Sequence, residues 1–73
     1  MIMRSAKVSV EEPGYGILLR AIEVFGDTER AIEWMGESNP ALWKEAPIRV
    51  IQTEPGRQEV LNVLGRIEHG VIS

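Results

Sequence analysis

The 73-residue chain contains no cysteine, so no disulfide staples its core, and thiolate metal sites and cysteine nucleophiles are excluded. A single histidine, His69, rules out a His-rich metal site within one chain. Basic residues are in deficit: eight Lys+Arg stand against eleven Asp+Glu, a formal net charge of −3. With a sequence pI near 5.1, the chain lacks the electrostatic attraction that drives nonspecific phosphate binding, and no direct nucleic-acid contact is expected. Apolar runs extend only a few residues, far short of the ~20 that a membrane span requires. Arg4 and Lys7 lie near the start, but no apolar segment follows them, so no secretory signal is read. Absence of cysteine fits a reducing compartment, and the expected location is the cytoplasm.

What the chain does have is apolar content, 44% by residue type, with 26% charged residues; that balance is globular, not disordered. At this length one small domain is the limit, burying about 60% of its unfolded surface. A lone core of that size supplies roughly 3–5 kcal/mol. Self-association or a bound partner is therefore expected, and a homodimer is one form it can take.

Residues Met1 to Gly14 differ from the remainder. Ala6, Val8 and Val10 alternate too briefly for a strand, and Glu11-Glu12-Pro13-Gly14 reads as a break. Residues 1–14 are expected to be a flexible N-terminal arm and residues 15–73 the folded domain. From Tyr15 the helical period begins, with Ile17, Leu18, Ala21, Ile22 and Phe25 forming one apolar face. Gly26 is placed to stop this helix, and Asp27 to cap the next. That second helix runs from Thr28 to about Met35, with Ala31, Ile32, Trp34 and Met35 as its apolar contacts and Glu29, Arg30 and Glu33 on a solvated face.

Asn39-Pro40 starts a short helical turn containing Ala41, Leu42 and Trp43, and Pro47 opens another over Ile48–Gln52. Thr53 caps a last helix that tolerates Pro55 in its first turn. Val60, Leu61, Leu64, Ile67 and Val71 form its apolar stripe, and Gly70 ends it. The predicted fold is all-α, a small bundle of about five short helices. The fourteen residues preceding the first helix are too few for a DNA-reading helix-turn-helix.

The inventory for catalysis is thin. His69 in a last helical turn has an ordinary role, since a protonated histidine there complements the helix dipole. Glu29 and Glu33 lie one turn apart on the solvated face beside Arg30, not in a site that would separate their acidities. Gly14-Tyr15-Gly16 lacks the third glycine and the preceding strand of a phosphate-binding loop. The chain is read as a non-enzyme with no cofactor and no metal. Phe25 and Trp34 are assigned to the core. Trp43, in a polar-flanked turn beside Lys44 and Glu45, is a candidate interface anchor. The terminus Arg66-Ile67-Glu68-His69-Gly70-Val71-Ile72-Ser73 ends in apolar residues and a carboxylate. Such a tail either folds back on the core or enters a partner's cleft.

Phe25-Gly26-Asp27, then Ala31 with Trp34, then Asn39-Pro40-Ala41-Leu42, occur in an order that resembles the toxin-binding domain of Xre/MbcA/ParS-type antitoxins. The continuation is similar: Pro47 opening a short helix, Thr53 with Gly56, Glu59-Val60, and Leu64-Gly65-Arg66-Ile67-Glu68-His69-Gly70. The resemblance runs from about Ile17 to Ser73. It implies a small helical antitoxin of a type II toxin–antitoxin pair whose partner is a RES-domain toxin, a protein that consumes NAD by phosphorolysis or hydrolysis or transfers its ADP-ribose. It further implies that the toxin supplies all the chemistry and that the last helix and tail obstruct its cleft. The interface residues so implied are Arg66, Glu68, His69, Gly70, Val71, Ile72 and Ser73, joined by Trp43 from the composition argument. Two features depart from the family. The N-terminal helix-turn-helix of many members is not found here, and Trp43-Lys44-Glu45 occupy the place of a glycine-rich stretch. A small dimeric adaptor or DNA-binding regulator is the alternative reading; it predicts a basic stripe, which an acidic chain does not supply.

Overall fold

A computed structural model describes residues 13–70. Four α-helices and one 3-10 turn make up this part: α1 (Pro13–Phe25), α2 (Thr28–Gly36), the 3-10 turn Pro40–Leu42, α3 (Pro47–Val50) and α4 (Glu54–Glu68). Among the described residues there is no strand, and one isolated bridge pairs Asn39 with Glu45. The all-α expectation holds, and its five helical pieces divide into four α-helices and the 3-10 turn.

Each boundary has a local cause. α1 begins at Pro13, two residues before the expected Tyr15, because proline's fixed φ is already that of a helix's first turn. Pro13 and Gly14 thus belong to the helix and not to the expected arm; residues 1–12 lie outside the described part. Gly26, at φ +71, donates its N–H to the Ile22 carbonyl at 2.7 Å and turns the chain out of α1. A side chain would strain that left-handed position. The Asp27 side chain then accepts from the Arg30 N–H at 2.9 Å and caps α2. Asn39 caps the 3-10 turn by accepting from the Ala41 N–H at 2.9 Å. Thr53 does the same for α4, its hydroxyl accepting from the Gly56 N–H at 3.1 Å. α3 covers only Pro47–Val50, shorter than expected, with Pro47 itself buried.

The core is assembled by α1 against both α2 and α4, with α3 and the 3-10 turn closing the far side. Its buried residues are Ile17, Ala21, Ala31, Met35, Leu42, Ile51, Val60, Val63 and Leu64. The apolar stripes read from the sequence supply most of them. Two assignments need correction. Ile32, expected to pack, is 54% exposed, because Ala31 and Met35 one turn apart already fill the seam. Trp34 is half-buried at the margin of the core; its ring leans on Phe25 with centroids 5.6 Å apart, tilted 49°. Arg30 extends its guanidinium over the same Phe25 ring at 5.8 Å. Glu29 and Glu33 are exposed, as a solvated face requires.

Candidate functional site

α4 carries two of the expected interface residues, Arg66 and Glu68, and His69 and Gly70 follow directly at its C-terminal end. Its first turn approaches α3 so closely that the Arg57 guanidinium donates to the Ile51 carbonyl at 3.0 Å. Gly56 is buried there against the Val50 backbone. Gly56, Val60, Val63 and Leu64 face inward. Successive steps of four and three residues place Pro55, Glu59, Asn62, Arg66 and His69 on a single outer stripe. Glu59 is half-buried and the other four are exposed.

At the C-terminal end of α4, Glu68 is held by a residue distant in sequence. The Arg20 guanidinium on α1 donates to both Glu68 carboxylate oxygens, through Nη2 to Oε1 and through Nη1 to Oε2 at 3.3 Å, and also to Glu23 at 3.0 Å. Hydrogen bonding from Arg20 holds the Glu68 carboxyl below its ordinary range, only partly opposed by desolvation. Glu68 is thereby committed to the α1–α4 contact, which leaves Arg66 and His69 as the outward polar groups. They border a shallow depression with Leu61, Asn62 and Gly65. The His69 N–H donates to the Gly65 carbonyl at 3.0 Å and the Gly70 N–H to Ile67 at 3.1 Å. Gly70, at φ +77, redirects the chain there. Val71, Ile72 and Ser73 lie outside the described residues.

Trp43 belongs to the opposite end. It is 69% exposed and lines a recess with Arg49, Val50, Thr53, Pro55, Gly56 and Glu59. The axial distance from Pro55 to His69 is roughly 20 Å at 1.5 Å per helical residue. Among the described residues, the expected interface residues therefore lie in two places, Trp43 by itself near the N-terminal end of α4 and Arg66, Glu68, His69 and Gly70 at its C-terminal end, linked by the outer stripe and not gathered into one patch. The intervening members, Glu59 and Asn62, escaped the sequence reading. Their signal was present in the helical spacing from Pro55 to His69.

A third surface was also missed. An apolar groove of about 630 Å³ opens between α1, α2 and α3, lined by Leu18, Ile32, Met35, Ile48 and Ile51 with Tyr15 and Arg57 among its borders. Ile32 and Ile48 stand 54% and 48% exposed. Assigning Ile32 to the core concealed it.

Among the described residues, no group of three or more His, Cys, Asp or Glu could hold a metal ion. Among the described residues none that is buried is polar or charged, and no helix of the described part is long and apolar enough to cross a membrane. The arrangement offers shape, an exposed indole, a polar stripe and an apolar groove, which are means of binding.

Comparison with known proteins shows the family. The family described as the antitoxin Xre/MbcA/ParS C-terminal toxin-binding domain matches residues 20–70, from the middle of α1 to the turn just after α4. A protein named Antitoxin Xre from Photorhabdus laumondii is 36% identical over 58 residues, covering 78% of this chain and 39% of that protein. Another Antitoxin Xre, from Yersinia enterocolitica, is 41% identical over 54 residues, covering 73% of this chain and 36% of its own. The chain thus matches well under half the length of these curated relatives. No solved structure gives a significant match. The capped helices, the Asn39–Leu42 turn and the α4 terminus all fall inside the matched span, and the chain belongs to the family of the antitoxin Xre/MbcA/ParS C-terminal toxin-binding domain.

Proposed function

We propose that this chain is the toxin-binding part of a type II antitoxin. Its partner is a RES-domain toxin that consumes NAD, and the C-terminal end of α4 with the tail Val71–Ser73 obstructs the toxin's active-site cleft. The observation carrying this reading is the family match over residues 20–70, which ends at the turn where Arg66 and His69 stand exposed. Inhibition by occupancy requires affinity and shape but no reactive group on the inhibitor. The toxin supplies the chemistry, and the antitoxin binds no cofactor and acts in the cytoplasm.

The Arg20–Glu68 contact gives the scheme a mechanical basis. Ordering the root of a tail before binding lowers the cost of association. Arg20 ties the last turn of α4 to α1, so Glu68 acts as a positioning residue while Arg66, His69 and the tail make the contacts. The proposed binding domain includes Pro13 and Gly14, which belong to α1. A homodimer remains part of the proposal, since exposed Ile32 and Ile48 offer apolar surface to a second copy.

The test is cellular NAD during expression of a RES-domain protein encoded beside this chain, with and without the chain. NAD that collapses alone and is preserved by coexpression, with the two proteins copurifying, is the expected result. Unchanged NAD and no copurification would refute the toxin assignment.

A further inference from the structure

We propose that Trp43 is a pre-organised anchor for the toxin partner, held out of the core at a cost to the chain's own stability. It would enter a partner pocket with apolar walls and a carboxylate or carbonyl acceptor at the rim. This deepens the toxin-binding reading and rests on it.

Three observations carry the inference. First, Trp43 and Lys44 have φ values of 57° and 66°, and they are the only non-glycine residues among those described with positive φ. A left-handed backbone is unfavourable for a bulky side chain, and two in succession persist only where the surroundings impose them. Second, the surroundings do impose them. The Asn39 carbonyl accepts from both Leu42 and Lys44 N–H groups at 2.9 Å, and the Asn39 N–H donates to Glu45 at 3.0 Å. Leu42, fully buried, roots the loop in the core. Third, the indole gains little from this placement within the chain, being 69% exposed. A residue held in a strained conformation and left exposed contributes little to folding, so the strain is informative about function.

Tryptophan suits an anchor because its large rigid surface is immobilised at low entropic cost and its N–H seeks an acceptor. The loop is already ordered, so the partner need not order it. The partner is the same toxin because the stripe Glu59, Asn62, Arg66 and His69 runs without interruption from this recess to the end proposed to enter the cleft. One partner surface roughly 20 Å long reaches both ends.

The strain and the anchoring act in opposite directions, which supplies the test. Trp43→Gly and Lys44→Gly each relieve one left-handed residue and should each raise the melting temperature of the full chain by about 3–8 °C. Their effects on binding should differ. Trp43→Gly should weaken affinity for the coexpressed RES-domain protein by at least ~30-fold, chiefly through faster dissociation. Lys44→Gly should keep it within about threefold, since the indole remains. Trp43→Gly binding as tightly as the parent would refute the anchor. A melting temperature lowered by both glycine variants would refute the strain. If the parent chain itself fails to bind, the toxin reading falls and the anchor with it; a binding parent with an unaffected Trp43→Gly variant overturns the anchor alone.

Discussion

Gly56→Ala is the substitution for which the structure makes the sharpest demand. A Cβ built on Gly56 would lie 1.8 Å from the Val50 carbonyl oxygen, 2.9 Å from its carbon and 3.0 Å from the Thr53 hydroxyl. The obstruction is backbone, which cannot swing aside, so the first turn of α4 must retreat from α3 by more than an ångström. Overpacking of this kind costs about 1–3 kcal/mol. The retreat also strains the Thr53 cap, whose hydroxyl accepts from the Gly56 N–H at 3.1 Å and whose loss costs ~1 kcal/mol. Alanine's better helix propensity returns at most ~1 kcal/mol. With the full propensity gain returned, the net loss of about 1–3 kcal/mol is a large share of the roughly 3–5 kcal/mol available to a core of this size. The midpoint of thermal melts followed by far-ultraviolet circular dichroism should fall by roughly 5–20 °C. Gly65, in the same helix, has nothing within 4 Å of its added Cβ. Gly65→Ala should therefore stabilise the chain, by up to ~1 kcal/mol. Equal destabilisation by both variants, or a Gly56→Ala melt within about 2 °C of the parent, would refute the packing argument.

Trp34→Ala should destabilise by about 1.5–3 kcal/mol, less than the 3–5 expected of a fully buried aromatic, because the indole is half-buried and much of its worth is the Phe25 contact; denaturant titration reads it, and loss of all cooperative unfolding would refute it. Arg20→Gln and Glu68→Gln should each lower stability, and a double-mutant cycle should show coupling that weakens with salt. Because the folded Glu68 carboxyl is held below its ordinary value, this coupling is present above the unfolded glutamate's pKa of about 4.3 and is lost as pH falls through the depressed folded value. Coupling that persisted in acid would exclude the carboxylate as its source. Deleting Val71–Ser73 should abolish protection from the toxin while leaving helicity and melting temperature nearly unchanged; full protection by the truncated chain would refute the tail's role.

Much of the fold was legible in the residues because it is locally caused. Asp27, Asn39 and Thr53 each accept from a backbone N–H two or three residues ahead, an interaction that requires nothing from the rest of the chain. The spacings Ile17–Ala21, Ala31–Met35 and Val60–Leu64 likewise mark the faces that are buried. The site was less legible. Trp43 was recognised as an exposed aromatic, but no local pattern states that its backbone is left-handed or that it stands at the far end of α4 from Arg66 and His69.

By itself, then, the sequence determined the all-α class, the caps, the principal apolar stripes and the family, since each follows from interactions or order along a short stretch of chain. Tertiary structure alone decided which of several apolar side chains on one helix is buried: Ala31 and Met35 meet the neighbouring helices, whereas Ile32, a single residue away, is left in the groove. It also joined Arg20 to Glu68 across 48 residues and pressed Gly56 against Val50. A helical period specifies a face, but the width of the contact depends on how closely the neighbouring helices approach, and that distance is set by the whole packed chain.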